Sequence, residues 1–178
     1  GQNIVVLKST MVDALVDYPI ATHSYVFPET VIDQALLPDG VPDTWGSGGN
    51  TRSGDYELDP AVLVDEDTRQ RAVEALAALP TVALTMPHES LWGVTDGIYM
   101  NPEEEGPEWE RLTSVELFGQ GLDVQAYGGV SIQGGSSVFN WKSAKLSMRL
   151  KFRAEHGTDK LRHKVFEGTD VDQFDSLI

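Results

Sequence analysis

The 178-residue chain contains no cysteine, which excludes disulfides, thiolate metal sites and thiol catalysis and leaves the redox compartment open. No apolar run approaches the roughly 20 residues that a membrane-spanning helix requires. Cations are scarce: 13 Lys and Arg stand against 28 Asp and Glu, a formal net charge of -15 and a pI near 4.4. That balance argues against non-specific nucleic-acid binding, which draws on cationic surface, and fits a soluble protein of a saline or extracellular setting. Gly1–Leu7 has neither the basic region nor the cleavage motif of a secretory leader. What is present suffices for a core, since 40% of the residues are hydrophobic. The length suits one domain, or one plus part of another.

The few cations are clustered. Lys142, Lys145, Arg149, Lys151, Arg153, Lys160, Arg162 and Lys164 all fall within residues 140–164, opposed there only by Glu155 and Asp159. Such an island is either an anion site, because local potential governs binding, or a solvated sheet face whose Lys and Arg deter edge-to-edge pairing. Within it, Leu146, Met148, Leu150 and Phe152 alternate with Lys145, Ser147, Arg149, Lys151 and Arg153. A period of two is that of a half-buried strand, so the first set is predicted buried and the second set is predicted to face solvent or a groove. Upstream, Gly129-Val130-Ser131-Ile132-Gln133 alternates likewise and runs into Gly134-Gly135-Ser136-Ser137. Strand, glycine-serine loop and cationic strand together can hold a phosphate. Gly134, Gly135 and Ser136 can present backbone N–H groups as an anion-binding concavity. Lys145 is the best candidate phosphate lysine, with Arg149 on the same strand face.

The segment GVSIQGGSSVFNWKSAKLSMRLKF resembles a stretch of CotH-type, spore-coat kinase-like proteins. Gly129, Val130, Gly134, Ser136, Ser137, Lys145, Ser147, Arg149 and Phe152 match the family pattern. Ala144 stands where the family has Pro, Leu146 where it has Lys or His, Met148 where it has Phe, and Gln133 where a basic residue is common. The resemblance covers about residues 97–178, including GIYMNPEEEGPEWERLTSVEL and DKLRHKVFEGTDVDQFDSLI, and is looser over 1–96. It implies part of the N-terminal lobe of an atypical kinase that transfers phosphate to Ser or Thr of a protein. ATP and magnesium are then the cofactors, and Gly134, Gly135, Ser136, Ser137, Lys145 and Arg149 lie on the nucleotide side. The catalytic and metal-binding acids of such a kinase would lie downstream of Ile178, so the chain alone is expected to be inactive. It also implies a secreted or cell-surface bacterial protein. The alternative is a non-catalytic protein- or carbohydrate-interaction module of a large extracellular protein.

The rest of the chain is read as supporting structure. Residues 1–27 are either an N-terminal hairpin or the tail of a β-sandwich module, since ATHSYVF resembles the closing strand of modules at the ends of chitobiase-like enzymes. Residues 28–96 form a loop-rich linker, with Trp45 and Tyr56 as aromatic anchors and GSGGN as a flexible tip. One helix is predicted over 65–79: Asp65 caps it, Glu66 and Asp67 suit the positive end of its dipole, and Pro80 stops it. Val73, Leu76, Ala77 and Leu79 are its predicted inward stripe. Thr81–Met86 is predicted to be a strand buried on both faces. Thr113–Phe118 and Leu122–Tyr127 flank Gly119-Gln120-Gly121, a hairpin signal. His88-Glu89 is read as a solvated or capping pair, Glu103-Glu104-Glu105 as an exposed acidic run, and Asp170–Asp175 as a solvated loop without the Gly and Glu of a calcium loop. The fold class predicted is α+β, mainly antiparallel sheet with hairpins. Its terminal segments are expected to be unpaired, to be met by further polypeptide, a partner subunit or self-association through edges. No nucleic-acid partner and no membrane span are expected.

Overall fold

A computed structural model describes residues 22–178 in full and, of the first 21, only the backbone of strand segments at 4–9, 12–13, 16–17 and 21. The fold is α+β and its sheets are antiparallel. Strands β1 (Ile4–Ser9) and β2 (Ala21–Val26) pair with each other. The main sheet contains β3 (Thr81–Thr85), β4 (Arg111–Gly119), β5 (Leu122–Gln133), β6 (Ser147–Lys151) and β7 (Ser176–Leu177), in the spatial order β7-β6-β5-β4-β3. Among the described residues no helix is long and apolar enough to cross a membrane.

Alternation sorts the sheet into two faces. Val115 opposite Ala126, Leu117 opposite Val124 and Leu150 opposite Val130 lie on one face. With Ile98, Phe152 and Leu161 packed on them they form the main core. Burying each large aliphatic side chain of this set contributes about 1.5–3 kcal/mol. Leu146, Leu150 and Phe152 are buried and Met148 is half-buried, while Lys145 and Ser147 are exposed. The predicted faces of this stretch are therefore observed. The opposite face is polar, carrying Ser114, Glu116, Gln125, Ser131, Arg149 and Lys151.

The β4–β5 hairpin closes as its sequence requires. Gln120 and Gly121 have φ of 52° and 84°, and a two-residue turn with positive φ at both positions matches the twist of the strands it joins. β5 does not stop at Tyr127 but runs unbroken through Gly128-Gly129 to Gln133. Gly129 is needed for close approach: a Cβ there would lie 2.5 Å from His156 Nε2 and 3.1 Å from a carboxylate oxygen of Glu110.

Three expectations are corrected. The helix spans Glu66–Ala78, with Asp65 and Thr68 capping each other reciprocally, but none of its residues is buried and Leu76 and Leu79 are exposed. It is a surface helix, tied to Asp33 by Arg69 at 2.6 Å. β3 is not buried on both faces. It is an outer strand of the sheet, and Val82 is 55% exposed. The terminal strand segments are paired, β1 with β2 and β7 with β6, while Gln173–Phe174 pairs with Leu161–Arg162.

A second core holds the loops. Trp45, Tyr99, Val138 and Leu146 are buried, with Tyr56 and Trp92 packed against them. Trp45 meets Tyr56 and Tyr99 edge-on at centroid distances of 5.2 and 5.3 Å. Ile98 and Tyr99 are adjacent yet enter different cores, so this turn joins the two.

Candidate functional site

The glycine-serine loop follows β5 directly. Gly134 has φ of +132°, and a Cβ there would overlap Ser137 Oγ, so only glycine lets the chain fold back over itself here. Ser136–Val138 then makes a single helical turn, and the chain loops through Leu146 into β6. The segment GSGGN, expected to be a flexible tip, is part of what holds that loop. Asn50 is buried; its Nδ2 donates to Val138 O at 3.0 Å and its Oδ1 accepts from Asn140 N at 2.6 Å. Buried Arg52 donates to Ser143 O at 2.6 Å and also to Val138 O. Burial lowers the Arg52 guanidinium below its ordinary pKa, with nearby Tyr99 opposing the shift. Trp45 Nε1 donates to Ala144 O at 3.1 Å, and Tyr99 Oη accepts from Leu146 N at 3.1 Å. These anchors lie 47 to 99 residues from the loop in sequence, which is why local pattern does not reveal them.

Three of the six sequence candidates come together. Gly134, Gly135 and Arg149 line one cleft of about 260 Å³, with Lys151, Ser131, Gln133 and Trp109, and with Glu104 and Glu105 on its wall. Arg149 sits opposite Ser131 across the β5–β6 ladder and is half-buried, and its side chain has no ion pair or hydrogen bond among the described residues. Half-burying a guanidinium without a counterion costs free energy, so an unpartnered one beside a cleft is a sign of function. The other three candidates lie outside this lining. Lys145 precedes the strand and is exposed, 3.9 Å from Asp55. Ser136 Oγ meets Lys142 Nζ at 2.7 Å, and Ser137 packs its hydroxyl against Gly134.

Sequence reading missed the charged cluster beside this cleft. The Glu110 side chain is only 2% exposed and faces Lys151 Nζ at 2.5 Å, Arg153 at 3.2 Å and His156 Nε2 at 3.3 Å. Burial pushes its carboxyl pKa up, but hydrogen bonds from Lys151 and His156 and the charges of Lys151 and Arg153 outweigh that and hold it below the usual carboxylate range. The available signal was indirect: Glu110 directly precedes β4 with the parity of Glu116, and Gly129 leaves room above it. Glu110, Glu155 and His156 bring one ligand atom each within 4.8 Å of one another, but Lys151 and Arg153 occupy the same carboxylates and repel a cation. His88 is exposed, with Nε2 2.9 Å from Gly40 O, as suits a solvated or capping role.

No protein-family model, no curated protein and no solved structure matches the chain. The functional reading therefore rests on the residues and their geometry.

Proposed function

We propose that the Gly134–Arg149 cleft binds the phosphates of a nucleotide, as the nucleotide-side portion of a CotH-like protein kinase. The observation that carries this reading is unpartnered, half-buried Arg149 facing the same cleft as Gly134 and Gly135. Phosphoryl transfer is largely positioning and charge neutralisation, and a strand lysine held by a glutamate is a recurring part of kinase sites. Lys151, fixed by buried Glu110, has that form, and it replaces Lys145 in the reading. Magnesium would enter with the phosphates. Glu104 and Glu105 line the cleft that Arg149 and Lys151 line, so a phosphate arriving with a divalent cation meets groups of both signs. Bound there, the cation would neutralise phosphate charge. Arg149 would orient the phosphate oxygens, with Gly134 and Gly135 leaving space for close approach.

Thermal unfolding with Mg-ATP tests this. At a hundredfold excess over Kd, a ligand that binds only the folded state adds about 2.7 kcal/mol. For a domain of this size that raises Tm by roughly 5–10 °C. The shift is expected in the wild type and should vanish in Arg149→Gln. An equal shift in both proteins would place the nucleotide elsewhere and refute this cleft, and no shift in either would favour the non-catalytic interaction module.

A further inference from the structure

We propose that a second groove, on the β7 side of Arg149, is an oxyanion site, and that with the first cleft it takes a chain of linked phosphates rather than one isolated phosphate. The groove measures about 380 Å³ and is lined by Arg149, Lys151, Arg153, Asp175 and Ser176. Arg149 and Lys151 therefore line both cavities.

The two cavities differ in charge. In the first, two cations face two carboxylates, Glu104 and Glu105. In the second, three cations face one carboxylate side chain, Asp175, which is already paired with Lys160 at 2.8 Å. Glu110 offsets part of the charge of Lys151 and Arg153, and Glu155 pairs with Arg153 at 3.4 Å. Glu110, however, is sealed beneath them at 2% exposure and presents no surface to the groove, and Glu155 lies outside its lining. Arg149 is offset by nothing among the described residues. Local potential, not the chain's net charge of -15, sets where an anion settles, and it favours the second groove. Alternate residues of a strand stand roughly 6.7 Å apart on one face. Lys151 and Arg153 converge on one Glu110 oxygen, at 2.5 and 3.2 Å, so their head groups form one centre of charge and Arg149, further along the strand, forms another. Linked phosphates can engage both centres at once. Guanidinium groups suit such a ligand because their planar donor fork pairs with two oxygens at once.

The inference rests on Arg149 being an anion residue, as proposed above, and the test separates the two cavities. Orthophosphate, inorganic tripolyphosphate and Mg-ATP would be titrated calorimetrically at one fixed ionic strength. The proteins compared would be wild type, Gln133→Glu, which adds a carboxylate to the first cleft, and Ser176→Asp, which adds one to the second groove. Both positions are at least partly exposed and neither bonds to the Glu110 cluster. Tripolyphosphate should bind wild type at least tenfold more tightly than orthophosphate, and Ser176→Asp should weaken it roughly tenfold or more. If Ser176→Asp leaves tripolyphosphate binding unchanged, the second groove is not an anion site and this inference falls, whatever happens in the first cleft. If Ser176→Asp weakens binding and Gln133→Glu does not, the groove stands as an anion site and the reading of the first cleft fails. Tripolyphosphate matching or exceeding Mg-ATP identifies the phosphate chain as the recognised group. A clear preference for Mg-ATP assigns recognition to the nucleoside and overturns that part of the proposal.

Discussion

Two glutamates lie buried on the same polar side of the main sheet and are satisfied in opposite ways. Glu116 is met by neutral donors. Its Oε1 accepts from Thr22 Oγ1 at 2.7 Å and Ser24 Oγ at 2.9 Å, and its Oε2 accepts from Ser24 N at 2.9 Å. Glu110 is met by Lys151, Arg153 and, when protonated, His156. The first carboxylate fastens β2 onto the sheet, helped by Gln125 Nε2 donating to Thr22 O at 2.7 Å. The second holds cationic side chains in fixed positions at the rims of two cavities. A buried carboxylate paired with neutral donors is a fastening. One paired with partly exposed cations also prepares those cations to meet something else.

Breaking the charged member should have the larger effect. Glu110→Gln leaves Lys151 and Arg153 crowded without their counterion, and removing one partner of a buried pair costs about 3–5 kcal/mol. Because Lys151 and Arg153 are 24% and 39% exposed, a loss of roughly 2–3 kcal/mol in urea unfolding is the expected result. A loss below about 0.5 kcal/mol would show that the cluster is a solvated surface network. Glu116→Gln is milder. It keeps one acceptor but turns an amide N–H toward the Ser24 N–H, a cost of roughly 1–2 kcal/mol, and protease cleavage within β2 should report it.

Acid sharpens the same contrast. The folded-state pKa of Glu110 is depressed, so its stabilisation is complete above the unfolded value of about 4.3 and is lost as pH falls through the lower folded value. The urea midpoint of the wild type should drop between pH 5 and pH 3 more steeply than that of Glu110→Gln. Parallel curves would remove Glu110 from the acid response. The smallest effect belongs to Asp65→Ala, which deletes the exposed N-cap of the surface helix and should lower the urea midpoint only slightly. It should leave anion binding unchanged and serves as the control for stability alone.

How much of this was readable beforehand divides along the range of the interactions. Local features were legible: the alternation that buries Leu150 and Phe152, the Gly119–Gly121 turn, and the Asp65 cap. Each depends on neighbours within a few residues. What lay over a face was not legible. Val73 to Leu79 has the pattern of an inward stripe, yet the helix rests at the surface with Leu79 60% exposed. Three candidate residues, Gly134, Gly135 and Arg149, share a cavity because strand register places Arg149 beside the loop end of β5. Lys145, by the same alternation equally eligible, is drawn off the strand because its loop is tied to Trp45, Asn50, Arg52 and Tyr99. Glu110 escaped notice because burial of a carboxylate depends on three partners 41 to 46 residues away.

The difference between Arg149 and Lys145 is the most direct test of the account. Titration calorimetry with Mg-ATP would compare wild type, Arg149→Gln and Lys145→Ala at one ionic strength. The account predicts that Arg149→Gln weakens binding at least tenfold while Lys145→Ala stays within twofold of wild type. Loss of binding in Lys145→Ala with Arg149→Gln unaffected would contradict it.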